Sequence, residues 1–337
     1  MRNVDFSRNA LTSCVAAAML AGCGGSQPPI GAPGAMPQPS ALATHADRGK
    51  SWMKGASSSQ DLLYVSSTNG NVYVYTYPQG KLTGTLTGLL GPIGECVDSA
   101  GDVFIVAAAN ASYETSTIYE YAHGGTTPIA TLSDQGAGFG CAVDAGTGNL
   151  AVANISDQEN PNNPGYGDVA VYAGAQGSAT MYYSSAYSSF GDFPGYDNKS
   201  NFYVVAESPQ NHDQELVRLS NGSGSFEAIR LKEKVSSGYR FWPTVQWDGK
   251  HTTVSSDSAQ GRQRSDVSVY RLSISRRHAT AIGTTKLDSP RNLHGSQSWI
   301  QSNTIVGTYY YKGYANVASW QYPNGGEPRS TIKKITT

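Results

Sequence analysis

Two short strand patterns recur in a fixed order six times between residues 61 and 320, and this repetition confines the chain to architectures built from similar small sheets. The first pattern opens just after a turn residue. It reads Asp61-Leu62-Leu63-Tyr64-Val65, Asp102-Val103-Phe104-Ile105-Val106, Asn149-Leu150-Ala151-Val152, Asn201-Phe202-Tyr203-Val204-Val205, His251-Thr252-Thr253-Val254 and Asn303-Thr304-Ile305-Val306. The starts lie 41 to 52 residues apart. The second pattern follows each of them, from Val72-Tyr73-Val74-Tyr75 and Ile118-Tyr119-Glu120-Tyr121 to Val317-Ala318-Ser319-Trp320. A turn then leads to a third strand, as at Lys81 to Leu86 or Arg329 to Ile332. A fourth element precedes most units: Gly94-Glu95-Cys96-Val97-Asp98, Gly140-Cys141-Ala142-Val143-Asp144, Gly195-Tyr196-Asp197 and Val245-Gln246-Trp247-Asp248.

Four short strands per unit of this length is the signature of a propeller blade. The expected fold is all-β: a six-bladed β-propeller over residues 59–335, with about four antiparallel strands per blade, a to d from the axis outward. A β-helix or sandwich would not explain the four-strand unit. The composition agrees, with 15% charged residues, 38 Gly and 21 Tyr. Five a-strands are visible, the last at Ser298-Trp299-Ile300. Either Ser51-Trp52-Met53-Lys54 supplies the sixth, or the first blade lacks one; a three-stranded or loosely completed first blade is expected.

Ahead of the repeat, residues 1–22 read as a secretion signal. Arg2 and Arg8 form a positive flank, and Leu11 to Leu20 is apolar but too short to span a bilayer permanently. The segment ends in Leu20-Ala21-Gly22-Cys23, which resembles the bacterial lipobox. That resemblance implies cleavage before Cys23, acylation of its thiol, and a lipid-anchored, extracytoplasmic protein of the bacterial cell envelope. Residues 23–58 then carry Pro28, Pro29, Pro33, Pro37, Pro39 and a Ser-rich end, and read as an extended tether.

The Gly-x-x-Val-Asp-x-x-Gly-Asp/Asn pattern resembles six-bladed propellers of the NHL-repeat type. Phrases such as LLYVSSTNGNVYVYTYPQGKLTGTLTG and CAVDAGTGNLAVANI resemble a group of bacterial secreted propellers. The likeness spans most of residues 60–335 and implies the fold without an activity. A remoter likeness is to the senescence-marker/gluconolactonase propellers and the streptogramin lyases.

In such a fold the b–c and d–a loops share one face. The b–c connections are long and polar at Asn110 to Ser116, Asn154 to Asp168, Glu207 to Glu215, Ser255 to Asp266 and Tyr309 to Asn316. That face is where a small molecule, glycan or protein partner is expected. Its candidate contacts are Tyr113, Asn154, Asp157, His212, His294, Tyr309 and Tyr311, since aromatic rings beside amides and acids suit such ligands. Asp98, Asp144, Asp197 and Asp248 recur at blade turns, which argues for turn chemistry. A net charge of −1 offers no basic field for nucleic acid.

Chemistry is less well supplied than binding. A lactonase-type hydrolase needs a divalent metal, and the weak ligand candidates are Glu95, Asn154 and Asp157. No full ligand set, acid–base pair or nucleophile elbow emerges. A binding or scaffold module without a cofactor is therefore the leading expectation, and a metal-dependent lactonase or esterase the alternative. Cys96 lies two residues before Asp98, whereas Cys141 lies three before Asp144. A one-residue offset turns a side chain to the opposite sheet face, and opposite faces of adjacent blades meet. A Cys96–Cys141 disulfide is expected.

Overall fold

The computed structural model describes residues 49–55, 59–67, 69–232, 243–257, 267–288, 297–311 and 314–335. The expected sites Cys23 and His294 lie outside the described residues, as do the signal and nearly all of the tether.

The described strands fall into six successive antiparallel meanders. The first holds β1 (Trp52–Met53), β2 (Leu62–Ser66), β3 (Val72–Thr76) and β4 (Leu82–Leu86). The second holds β5 (Glu95–Val97), β6 (Val103–Ala108), β7 (Ser116–Tyr121) and β8 (Ala130–Asp134). The third holds β9 (Gly138–Val143), β10 (Leu150–Asn154), β11 (Asp168–Tyr172) and β12 (Thr180–Tyr183). The fourth runs through β13 (Gly195–Tyr196), β14 (Phe202–Glu207), β15 (Gln214–Leu219) and β16 (Phe226–Leu231). The fifth runs through β17 (Val245–Trp247), β18 (Thr252–Asp257), β19 (Val267–Ser275) and β20 (His278–Leu287). The sixth comprises β21 (Ser298–Gln301), β22 (Thr304–Tyr311), β23 (Tyr314–Gln321) and β24 (Gly325–Ile335). Short parallel pairings of β16 with β20 and of β20 with β24 link the last three meanders along their outer strands.

Strand periodicity explains why the central runs are apolar throughout. Successive side chains point to opposite faces, and here both faces are covered. Phe104 and Val106 of β6 pack on Leu150 and Val152 of the third meander. Val103, Ile105 and Ala107 of the same strand pack on Val72 and Val74 of the first. In β14, Phe202 and Val204 meet the third meander, while Tyr203 and Val205 meet the fifth. Val267 and Val269 meet Ile305 and Trp320 between the fifth and sixth. A further cluster joins Val65 and Tyr75 of the first meander to Val306 and Val317 of the sixth. Each fully buried Val, Leu, Ile or Phe in these interfaces contributes about 1.5–3 kcal/mol.

The repeated glycine ahead of the inner strands has a steric cause. A Cβ on Gly94 would lie 2.4 Å from the Phe139 carbonyl oxygen, and one on Gly195 2.4 Å from that of Val245. Each glycine sits where its chain passes the inner strand of the next meander. The turn aspartates also act as expected: Asp98 Oδ1 accepts from the N–H groups of Ala100 and Asp102, and Asp197 Oδ1 from those of Lys199 and Asn201. A disulfide joins Cys96 to Cys141 across the inner strands of the second and third meanders, with Cα atoms 5.6 Å apart.

Two connections differ from the expectation. Tyr309 to Asn316 is not a long loop; β22 and β23 extend into it and pair as far as Tyr311 with Tyr314. Ser51 to Lys54 does not supply the missing inner strand either. β1 pairs with the outer strand β4, Trp52 opposite Thr85 and Met53 opposite Gly84, so the sheet runs β1-β4-β3-β2. Among the described residues β2 is therefore an edge strand, at the position where every other meander has a further inner strand.

Candidate functional site

The vacancy beside β2 is a cavity. It encloses about 360 Å³ between β2, the inner strand β5 and the sixth meander. Its walls include Leu62, Tyr64, Val97, Val103, Val306 and Trp299. At one end Asp61, Trp299 and Gln301 are exposed. At the other end Glu95, Ser66 and Gln297 meet. Ser66 gives the Glu95 carboxyl both its hydroxyl and its backbone N–H. The Gln297 amide pairs with the Glu95 backbone as a strand would, accepting from its N–H at 3.2 Å and donating to its carbonyl at 2.5 Å. Gln246 does the same to β21, at 2.8 Å from the Ile300 N–H and 3.0 Å from the Ser298 carbonyl.

Two terminal bonds fix the polarity of the open edge. Tyr77 N–H donates to the Asp61 carbonyl at 2.7 Å, and Ser67 N–H to that of Asn71 at 2.9 Å. Antiparallel pairing alternates. Leu63 and Val65 therefore turn their backbone groups toward β3, while Leu62, Tyr64 and Ser66 turn theirs toward the cavity. Burial pushes the Glu95 carboxyl up to about 7, against the opposing effect of the Ser66 hydrogen bonds.

A second polar group lies at the long-loop end of the third meander. Asn154 Nδ2 donates to Asp134 Oδ1 at 3.1 Å and to Asp168 Oδ1 at 2.7 Å. Asp157 Oδ1 accepts from the Glu159 N–H at 2.7 Å, and its Oδ2 from Gln135 Nε2 at 3.1 Å. Burial pushes Asp134 up to about 7. It pushes Asp168 to about 9, helped by a hydrogen bond with Asp157.

The candidate face divides accordingly. Tyr113 is exposed, with its ring over Gly91. His212 is exposed, with Nδ1 2.7 Å from Glu207 Oε1. Asn154 and Asp157 are fully buried. They are not loop oxygens open to solvent: the Asn154 amide nitrogen and both Asp157 oxygens are bonded to neighbours, while Asn154 Oδ1, Asp134 Oδ2 and Asp168 Oδ2 have no hydrogen-bond partner among the described residues. Tyr309 packs among Val267, Leu287 and Trp320, since extension of β22 carries it into the core. The side chain of Tyr311 lies outside the described residues. Glu95 and the pair Asn154 and Asp157 have separate partners. Among the described residues no group of three or more His, Cys, Asp and Glu side chains is arranged to hold a metal ion. Sequence reasoning missed Ser66, Gln297 and Trp299 as a group. The available signal was their place in the strands flanking the absent one.

No protein-family model and no curated protein matches the chain. Solved structures do. The β-propeller domain of Swd1 from Myceliophteria thermophila aligns with 9% identity and a TM-score of 0.50, over 86% of this chain and 88% of that one. TolB from Acinetobacter baumannii aligns with 11% identity and a TM-score of 0.51, over 77% and 61%. Hydrazine synthase from Kuenenia stuttgartiensis aligns with 13% identity and a TM-score of 0.52, over 82% and 79%. The fold is that of a β-propeller; at these identities the likeness speaks of fold alone.

Proposed function

We propose that the chain is a six-bladed β-propeller that serves as a binding or scaffold module of the bacterial cell envelope, anchored through acylated Cys23. Its ligand enters the cavity at the vacant inner position of the first blade. The observation that carries this reading is the cavity itself. At about 360 Å³ it falls within the range of ligand sites, and it combines apolar walls with a few directed polar groups. Support for six blades comes from the six meanders and from the Val65–Val306 cluster that brings the sixth against the first. Support for the anchor comes from the lipobox-like run Leu20 to Cys23. The wider loop face is the weaker site, because Asn154, Asp157 and Tyr309 are buried.

Thermal-shift screening of the full chain against small molecules, glycans and short peptides tests the site. Compounds that stabilise the wild type lose their effect in Trp299→Ala and keep it in Tyr113→Ala. The opposite pattern moves the site to the loops. Absence of any compound sensitive to Trp299 overturns the cavity reading. For the anchor, Cys23→Ser shifts the protein from the membrane to the soluble fraction of the cell.

A further inference from the structure

We propose that the cavity receives the free N-terminus of a partner peptide, which inserts as the missing inner strand antiparallel to β2 with its α-ammonium group seated on Glu95. This rests on the reading of the cavity as the binding site and adds the ligand class and its orientation.

Four observations converge. First, the position is built for a strand. The other five meanders fill it with segments of two to six residues of their own chain, from Gly195–Tyr196 to Gly138–Val143. In the first meander the backbone groups of Leu62 and Tyr64 face a position that no described strand fills. An incoming extended segment gains main-chain hydrogen bonds there, as in strand addition to any open sheet edge.

Second, the direction follows from the repeat. Each inner strand is antiparallel to the strand that follows it, as β5 is to β6 and β9 to β10. β2 runs from the exposed Asp61 to the half-buried Ser66. An antiparallel occupant therefore starts at Ser66 and leaves past Asp61. Its first residue then lies beside the Glu95 carboxyl, where Ser66 and Gln297 meet Glu95, so the α-amino group of a chain that begins there is next to an acid.

Third, the charge is complementary. Glu95 and Asp61 are the acids among the described lining residues, and no Lys or Arg is among those described. His123, also in the wall, has Nε2 2.9 Å from the Gln60 carbonyl. Ser66 occupies only part of the acceptor capacity of the Glu95 carboxyl, so a site for an ammonium N–H remains. Fourth, the walls suit alternate apolar side chains. Leu62 and Tyr64 face the second meander and Leu63 and Val65 the sixth, so both sides of an inserted strand meet hydrophobic surface.

The test uses the full chain and a randomised library of peptides with about four varied residues, the length of an inner strand, held by their C-termini. Each peptide is presented with a free α-amino group and as its N-acetylated twin. Selected free peptides bind, and acetylation weakens them by about tenfold or more, the effect of removing one partner of a buried charged hydrogen bond. Glu95→Gln removes the same difference between twins. The comparison of twins on the wild-type protein stands even where that variant is unstable. Peptides that bind equally well when acetylated and lose binding in Trp299→Ala overturn the N-terminus proposal and leave the cavity reading intact. Failure of every peptide to bind overturns the proposal too. Insensitivity of every bound compound to Trp299→Ala overturns both.

Discussion

The first and third meanders share the same three outer strand positions and treat the innermost one in opposite ways. In the third, β9 fills it with six residues, pairs along β10, and is bonded through Cys141 to the neighbouring inner strand. Its Asn154 amide holds two buried acids, Asp134 of the second meander and Asp168 of its own. In the first, no strand occupies the position among the described residues, β2 ends the described sheet, and the nearby acid Glu95 borders a cavity. Where the inner layer is filled, the acids share the Asn154 amide donor and are closed off from solvent, and the result is support. Where it is open, similar groups face a space that another molecule can fill.

The largest expected effect breaks the sealed side. Cys96→Ser with Cys141→Ser opens a loop of 45 residues and lowers stability by about 4 kcal/mol in urea titration. Next comes the brace. Asn154→Leu leaves Asp134 and Asp168 without their amide donor and lowers stability by about 2–3 kcal/mol in the same assay.

Acidity then separates the two regions. Glu95 and Asp168 both hold protons more tightly when folded. Their contribution to stability is complete below about pH 4, the range of the unfolded acids. It is lost as pH rises to about 7 for Glu95 and about 9 for Asp168. Glu95→Gln therefore raises the melting temperature at pH 8.5 and leaves it unchanged at pH 4, a gain of about 1–2 kcal/mol. Asp168→Asn lessens the fall that persists between pH 7 and 9. A melting series that rises with pH over this range would contradict both assignments. The smallest effect belongs to the turns: Asp98→Ala costs about 1 kcal/mol through the lost bonds to Ala100 and Asp102.

Much of the fold was legible because the repeat is enforced by packing on both sheet faces. Phe104 and Ile105 must each be apolar, as each faces a different neighbour. The turn aspartates were equally plain, since their partners lie within a few residues. The site was less so. Asp134, Asn154 and Asp168 meet only once two meanders are assembled, so Asn154 read as a loop oxygen. Tyr309 looked like a loop aromatic because Tyr309-Tyr310-Tyr311 carries no inward–outward alternation to mark a strand. The vacancy itself was anticipated, but its lining was not, because Ser66, Glu95 and Gln297 are brought together from distant parts of the chain.

The placement of β1 on the outside of β4 affects the order in which the molecule comes apart. Among the described residues no sheet combines the first meander with the last, and the two meet through the side chains of Val65, Tyr75, Val306 and Val317. The chain is in this respect a linear array whose ends touch, and such arrays lose their terminal repeats first. Amide hydrogens of β2 and β23 should exchange early, and those of β6 and β10, flanking the disulfide, should be the last to go. The cavity then sits in the part of the molecule that opens most readily, and an inserted strand would slow exchange at the seam before anywhere else.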